Sequence, residues 1–278
     1  MKKILGIIGS PRKLGNSEIM IKEISRHVEV PHELKLLRVS DFNILPCRGC
    51  YACLFKAERC VLKDDLYTIL DAMLEADALI VSAPAYFLGT NASLKRLLDR
   101  GLAFYTHVEK LWGKPSVGAG IAGIQGKEGH TLLGIENFLN LTLTENKGTT
   151  MVYGALPGEI FMNGQNKKTA SALASALFGP PLEKKGPCCP LCGGETFRFL
   201  PDGMVRCMLC SNTGTMVMKE SGPVFDIKRG DHELFLNKED VIRHKEWLVG
   251  MKSRFIEHKK ELKEISTAYL EGNWIKPD

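Results

Sequence analysis

The chain has 278 residues, of which 44% are hydrophobic and 25% are charged, and its formal net charge is +5. These values are ordinary for a soluble globular protein and allow one domain with appendages or two domains. Apolar stretches such as Ala78 to Ala85 are too short to span a bilayer, and the mild charge does not indicate nucleic-acid binding. Because Met1 leads directly into a strand pattern without a cleavable leader, we expect a cytoplasmic protein.

Strand and helix patterns alternate along the first 155 residues. The predicted strands are Ile4–Ile8, Leu34–Val39, Ala78–Ser82 (ended by Pro84), Pro115–Ala122 and Thr150–Ala155. The predicted helices are Ser17–His27, Asp64–Glu75, Asn91–Arg100 and Thr131–Leu143. This alternation predicts an α/β fold with a doubly wound, parallel, five-stranded sheet. Ligands of such sheets bind beyond the carboxyl ends of the strands, so we expect cofactor contacts in the loops after strands one, three and four.

The loop after the first strand, Gly9 to Ser17, combines hydroxyl groups, the cation Arg12 and a helix N-terminus. Such a loop can bind a phosphate through backbone N–H groups and the helix dipole. It is not a P-loop, because Asn16 occupies the position where that motif requires lysine. The loop therefore favours one phosphate ester over a merely structural turn.

Four cysteines, Cys47, Cys50, Cys53 and Cys60, follow the second strand with the spacing C-x2-C-x2-C-x6-C. Compact cysteine sets of this kind hold iron–sulfur clusters, whereas zinc usually draws two separated pairs. The spacing favours a four-iron cluster, with a zinc site as the main alternative and free buried thiols as a weaker one. A disulfide does not suit a chain expected in a reducing compartment.

A second set consists of two C-x2-C pairs, Cys189 with Cys192 and Cys207 with Cys210. It predicts a zinc ribbon with closed coordination by four thiolates, although a single iron, as in rubredoxins, is an alternative. Phe197, Phe199 and Val205 could form a hairpin between the pairs. Basic residues nearby are interpreted as a solvated face, so we do not expect nucleic acid as a partner.

Composition changes after about Leu177, which suggests three units. We predict a sheet domain over 1–180, a zinc ribbon over 181–222 and a C-terminal helical extension over 223–278. The extension contains a long helical pattern from Asn237 to about Leu270. One face of that pattern is apolar and carries Val241, Leu248, Met251, Phe255, Leu262, Ile265 and Tyr269.

Several motifs in the first 155 residues resemble the NADPH-dependent FMN reductase family, which has a flavodoxin-like fold. The Gly9–Ser17 loop is similar to that family's G-S-P-R-x-x-G-N-[ST] signature, and Ser82–Gly89 is similar to its S-P-V-Y loop. The cysteine run followed by Asp64 and Asp65 resembles the iron–sulfur flavoprotein branch. The resemblance implies FMN and one 4Fe–4S cluster as cofactors, NAD(P)H or a ferredoxin as redox partner, and a homo-oligomer with the flavin at a subunit interface.

The resemblance also assigns roles to residues. The phosphate of FMN would be held by Ser10, Arg12, Gly15, Asn16 and Ser17. The flavin ring would be lined by Pro84, Ala85, Tyr86, Phe87, Leu88 and Gly89, and a third loop would contribute Gly123, Gln125 and Gly126. In that third loop the chain has Gly126-Lys127-Glu128-Gly129-His130 where the family often has a G-G-Q-E-like run, and His130 is interpreted as a helix-start residue.

Three functions follow from these patterns. The first is a flavin-dependent oxidoreductase that passes electrons between a 4Fe–4S cluster and FMN, with no acid–base residue required. The second is an NAD(P)H-dependent reductase of FMN or quinones in which the cysteines are structural or empty. The third is a redox sensor without enzymatic activity that uses the zinc ribbon to bind a partner.

Overall fold

A parallel sheet of five strands forms the centre of the first half of the chain. The computed structural model describes residues 1–55, 59–162, 164–220 and 222–277. The strands are β1 (Lys2–Ile8), β2 (His32–Arg38), β3 (Ala78–Tyr86), β5 (Pro115–Ala122) and β6 (Glu145–Tyr153). Their spatial order is β2-β1-β3-β5-β6, and the two-residue β4 (Gly89–Thr90) pairs antiparallel with β3. This is the flavodoxin-like order, so the predicted doubly wound sheet is confirmed.

Helices cover both faces of this sheet. They are α1 (Asn16–Arg26), α2 (Ala52–Phe55), α3 (Leu66–Glu75), α4 (Ala92–Leu98), α5 (Val108–Leu111), α6 (Thr131–Leu141) and α7 (Gln165–Phe178), with a 3₁₀ helix at Gly101–His107. Side chains alternate along β3, so Leu79 and Val81 join the core under α3, α4 and α6, while Ile80 joins the core under α1 and α7.

Two strand ends and one helix differ most clearly from the sequence-based expectation. β3 continues through Pro84, which pairs with Ile121, because a missing N–H group is tolerated near the end of a strand. β6 begins at Glu145 and ends at Tyr153, so the residues from 154 to 158 form a loop. Helix α7 was not predicted, since its apolar stripe consists partly of alanine, yet Ala170, Leu173 and Leu177 are buried against the sheet.

A second, antiparallel sheet follows the first. Its strands are β7 (Phe197–Phe199), β8 (Met204–Cys207), β9 (Thr213–Lys219) and β10 (Gly222–Ile227), in the order β10-β9-β8-β7. The predicted hairpin is present, because Phe199 pairs with Val205 across β7 and β8. β10 carries the sheet beyond residue 222, where a unit boundary was predicted. The ion pairs of Lys184 with Glu136 (3.3 Å) and Glu195 (3.0 Å) connect this sheet to α6.

The C-terminal segment forms two helices, α8 (Lys238–Glu257) and α9 (Lys259–Thr267), where one long helix was predicted. Asn237 caps α8, because its Oδ1 accepts a hydrogen bond from the Asp240 N–H at 2.8 Å. Of the predicted apolar face, Val241 and Leu248 are buried and the distal members are exposed. Within the described ranges, no helix combines the length and the apolar character needed to cross a membrane.

Candidate flavin and metal sites

The loop between β1 and α1 forms a compact turn that faces the carboxyl end of the sheet. Ser10 Oγ accepts a hydrogen bond from the Arg12 N–H at 3.2 Å, and Glu18 Oε2 accepts one from the Leu14 N–H at 2.9 Å. Ser10 and Ser17 are almost completely buried, whereas the Arg12 side chain reaches solvent. The first N–H groups of α1 have no partner within the helix, so the turn offers donors to an anion.

Asn16 connects this turn to the loop that follows β6. Its Nδ2 donates to the carbonyl oxygen of Gly154 at 2.9 Å, and its Oδ1 accepts from the Gly158 N–H at 2.9 Å. Gly158 has a left-handed φ of 86°, which suits glycine at this position. The Asn16 side chain is therefore engaged in positioning two loops, and its backbone N–H is the group that remains for a ligand.

A cavity of about 220 Å³ opens between these loops and the end of β3. Its lining residues are Ser10, Arg12, Gly15, Asn16, Ser17, Pro84, Ala85, Tyr86, Ile121, Gly123, Gly154, Ala155 and Pro157. The lining includes one cation, two hydroxyl groups from serine and no carboxylate among the described residues. Hydroxyl, guanidinium and helix N-terminal donors suit a phosphate, and the cavity therefore fits the phosphate end of FMN.

The remaining predicted flavin residues lie in the neighbouring loops, outside the lining of this cavity. Phe87 and Leu88 form the turn between β3 and β4 with left-handed φ values of 47° and 66°, and the Phe87 ring is fully exposed. The His130 N–H donates to the carbonyl oxygen of Leu88 at 2.7 Å, which ties this turn to the third loop. A Cβ atom on Gly129 would lie 2.1 Å from the same oxygen, so glycine is required there. Gln125 and Gly126 belong to that third loop.

The four N-terminal cysteines line one small pocket at the carboxyl end of β2. Left-handed φ values at Gly49 (62°) and Tyr51 (55°) turn the chain sharply between Cys47 and Cys53. Burial raises the pKa of Cys53 to about 11, and the neighbouring thiols, Cys60 first among them, add to this effect. Burial disfavours the charged thiolate most and the like charges of the neighbouring thiolates add to this cost, which a bound cationic centre would relieve.

A buried ion pair forms one wall of the same pocket. Arg100 donates to an Asp64 carboxylate oxygen and, at 2.8 Å, to the carbonyl oxygen of Leu45. Its second terminal nitrogen, Nη2, lies 3.1 Å from the Cys60 sulfur. Burial opposes ionisation of Asp64, but hydrogen bonds from Arg100, Leu45 and Leu66 outweigh it and lower the Asp64 pKa. The pair therefore stays charged at neutral pH.

The C-terminal cysteines form a tighter group. The sulfur atoms of Cys189 and Cys210 are 3.8 Å apart, and those of Cys192 and Cys207 are 3.5 Å apart. A tetrahedron of thiolates around zinc, with Zn–S bonds of about 2.3 Å, has edges of about 3.8 Å. A Cβ atom on Gly194 would lie 2.8 Å from the Leu209 Cβ and 3.0 Å from the Cys207 sulfur, so glycine lets the second pair approach closely. This geometry fits one tetrahedral metal ion.

The two cysteine sets differ in the distances between their sulfur atoms. Among the described residues, the C-terminal set is the only group of three or more His, Cys, Asp or Glu ligand atoms that lie within 4.8 Å of one another. The N-terminal thiols share a pocket, but no three of their sulfur atoms lie within 4.8 Å of one another. Four thiols around one pocket suit a metal centre.

The fold defines the class of protein, a flavodoxin-like protein with a cavity at the carboxyl end of the sheet that suits a flavin phosphate. Residues 2–142 match the model of the family described as NADPH-dependent FMN reductase. The chain belongs to this family and is a flavin-dependent oxidoreductase.

Two curated relatives are similar to this chain in sequence. An iron–sulfur flavoprotein of Archaeoglobus fulgidus is 32% identical over 176 residues, which cover 63% of this chain and 78% of the relative. An iron–sulfur flavoprotein of Methanocaldococcus jannaschii is 37% identical over 141 residues, which cover 49% of this chain and 70% of the relative. Among solved structures, a flavone reductase superposes with a TM-score of 0.72 at 18% identity and covers 99% of this chain and 100% of its own. That structure shares the fold of this chain.

Two groups of residues at these sites were not found by sequence reasoning. Gly154, Ala155 and Pro157 line the flavin cavity because β6 ends earlier than predicted and its following loop reaches the cavity, and Ile121 lines it from the end of β5. Applying the strand-end rule to the fifth strand would have found that loop. Arg100 reaches Cys60 across 40 positions of sequence, and no local pattern signals such a contact.

Proposed function

We propose that this protein transfers electrons between a 4Fe–4S cluster held by Cys47, Cys50, Cys53 and Cys60 and FMN bound in the cavity at the end of β1. The observation that carries the proposal is that the four thiols of the C-x2-C-x2-C-x6-C run line one pocket, with no three sulfur atoms within 4.8 Å of one another. The pocket follows β2, and β2 pairs directly with β1, whose following loop forms the phosphate cradle. Both sites therefore lie at the same edge of the sheet.

The residues of the chain bind and orient the two carriers. Ser10, Arg12 and Ser17 are placed to hold the FMN phosphate, and Asn16 keeps the two loops of the cradle together. When bound, the cluster would supply single electrons and the flavin would accept one or two. The loops at Pro84–Gly89 and Gly123–Gly126 are proposed to lie along the flavin ring.

Metal and flavin analysis of anaerobically purified and reconstituted protein tests this proposal. We expect about four irons, about four sulfides and one FMN per chain, in line with one cubane cluster and one flavin. Cys50→Ala should lower the iron and sulfide content and leave FMN binding intact, because Cys50 lies in the cluster pocket and outside the flavin cavity. Cys188→Ala is the matched control, since Cys188 lies outside both cysteine groups. Wild-type protein without iron after reconstitution would refute the cluster assignment.

NAD(P)H is the proposed two-electron donor, because the matching family is that of NADPH-dependent FMN reductases. The alternative is a one-electron donor such as a ferredoxin, which suits a cluster that accepts single electrons. Anaerobic stopped-flow mixing with NADPH and NADH distinguishes them. Fast bleaching of the flavin absorbance supports the nicotinamide, whereas bleaching only with a reduced ferredoxin supports the one-electron route. Clusters and free thiols persist in a reducing compartment, so the cytoplasm is the proposed location.

The C-terminal cysteines are proposed to hold structural zinc. Their closed arrangement leaves no open coordination position for a substrate, and three of the four are buried in the core shared with the sheet domain. Zinc at one equivalent per chain, retained when the N-terminal cluster is removed, is the expected result. One additional iron in that position would identify a rubredoxin-like centre instead.

A second copy of the chain is the proposed structural partner. Large apolar side chains are exposed in four loops at the carboxyl end of the sheet, namely Leu14, Phe87, Ile124 and Leu156. Exposed apolar groups that surround a ligand cavity are typical of an interface. Sedimentation velocity of the FMN-loaded chain tests this, and a monomer at micromolar concentration would refute it.

A further inference from the structure

One buried cation lies directly against the proposed cluster pocket. The Arg100 side chain is only 1% exposed, and its Nη2 is 3.1 Å from the Cys60 sulfur. Cys60 is also positioned through its backbone, because its N–H donates to the Tyr67 hydroxyl at 2.6 Å. The contact therefore joins a fixed cation to a fixed sulfur atom.

The surroundings of Arg100 determine where its donors point. Nη1 is engaged by Asp64 and by the carbonyl oxygen of Leu45. Asp64, whose side chain is fully buried, accepts from the Leu45 N–H at 2.9 Å and from the Leu66 N–H at 3.2 Å. Because these bonds fix the guanidinium plane from one side, the other terminal nitrogen is held toward the sulfur. Because the Arg100 side chain is buried, its charge does not neutralise a group at the protein surface.

We propose that Arg100 sets the reduction potential of the cluster by donating a hydrogen bond to the sulfur of its ligand Cys60. Reduction adds one electron to the cluster and makes it more negative by one charge. Arginine stays protonated in both states, so no proton moves with the electron. A nearby positive donor stabilises the more negative state, and hydrogen bonds to sulfur are among the factors that tune such potentials. This inference rests on the proposed function, in which Cys60 is a cluster ligand.

Redox titration of the reconstituted full chain, followed by electron paramagnetic resonance, tests the inference. We expect Arg100→Gln to disfavour reduction at least tenfold, which corresponds to a midpoint potential lower by about 59 mV for one electron. Removing the cation alone leaves Asp64 buried without its partner, so the double variant Asp64→Asn with Arg100→Gln is made as well. The double variant keeps the net charge of the wild type and should shift the potential in the same direction.

Arg96→Gln is the matched control. It removes the same charge four residues before Arg100, from a side chain that is exposed. An unchanged potential in Arg100→Gln with full iron content would overturn the inference, and so would an equal shift in Arg96→Gln. Loss of the cluster from both the single and the double variant would also overturn it, since Arg100 would then be needed to build the site. Wild-type protein that binds no iron would instead refute the proposed function and the inference with it.

Discussion

Replacing Arg12 with glutamine should weaken FMN binding about tenfold and leave riboflavin binding unchanged. Arg12 is the one cation among the described residues that line the flavin cavity, and riboflavin lacks the phosphate that it would contact. A hydrogen bond to a charged group contributes about 1.5–3 kcal/mol, and the lower value applies because the Arg12 side chain reaches solvent. About 1.4 kcal/mol corresponds to a factor of ten in the dissociation constant. The serine hydroxyls and the N-terminus of α1 would supply the remaining affinity for phosphate.

Fluorescence titration of the apoprotein with FMN and with riboflavin measures both constants. Lys13→Gln is the control variant, since Lys13 carries the same charge in the same loop and does not line the cavity. The ratio of the FMN to the riboflavin dissociation constant isolates the contact between Arg12 and the phosphate. An equal loss of affinity for both flavins, or the same loss in Lys13→Gln, would show that the phosphate is bound elsewhere.

Three other changes test the remaining sites. Asn16→Ala should weaken FMN and riboflavin alike and lower the unfolding free energy by about 0.5–1.5 kcal/mol, because Gly158 and Gly154 lose their hydrogen-bond partner; flavin titration and urea unfolding measure these effects. Cys192→Ser should release the metal and unfold the second sheet, because a small sheet depends on its metal ion for stability; native mass spectrometry and circular dichroism report this. Glu136→Gln should stabilise the protein at pH 8 and not at pH 4, as measured by the midpoint of urea unfolding.

The sign of the Glu136 effect follows from its environment. Burial raises the Glu136 pKa, and the ion pair with Lys184 only partly offsets this. Burial opposes the charge of Lys184, but Glu136 and then Glu195 outweigh it and raise the Lys184 pKa. Lys184 keeps its ion pair with Glu195 when Glu136 is replaced. Since the folded state holds the proton more tightly than the unfolded chain, wild-type stability falls as pH rises from about 4.5 through the folded pKa. In Glu136→Gln the side chain does not ionise, so this loss of stability with rising pH is absent.

Each of these predictions has a contradicting outcome. Asn16→Ala that weakens FMN and leaves riboflavin unchanged would assign the Asn16 side chain to the phosphate. Metal retained in Cys192→Ser, with the control Cys188→Ser unchanged, would exclude Cys192 from the coordination sphere. A stability difference between Glu136→Gln and wild type that is the same at pH 4 and pH 8 would show that the buried carboxylate carries no proton-linked cost.

Local patterns in the sequence were sufficient for the main features of the fold and of the metal sites. The alternation of apolar strands and amphipathic helices predicted the doubly wound sheet, since each pattern reflects which face of an element is buried. The pairs Cys189–Cys192 and Cys207–Cys210 predicted the ribbon, because short spacing alone brings two thiols to one ion. The prediction of one C-terminal helix missed the break at His258 between α8 and α9, because that break has no strong sequence signal.

The tertiary structure decided what depends on contacts between distant segments. The sequence by itself predicted which strand end would bind a phosphate, because the turn, the cation and the helix start are contiguous from Gly9 to Ser17. Only the folded chain shows that Asn16 bonds to the loop after β6, 138 positions away, and that Arg100 points at Cys60. Hydrogen-bond partners of this kind are chosen by packing, which joins residues without regard to their separation along the chain.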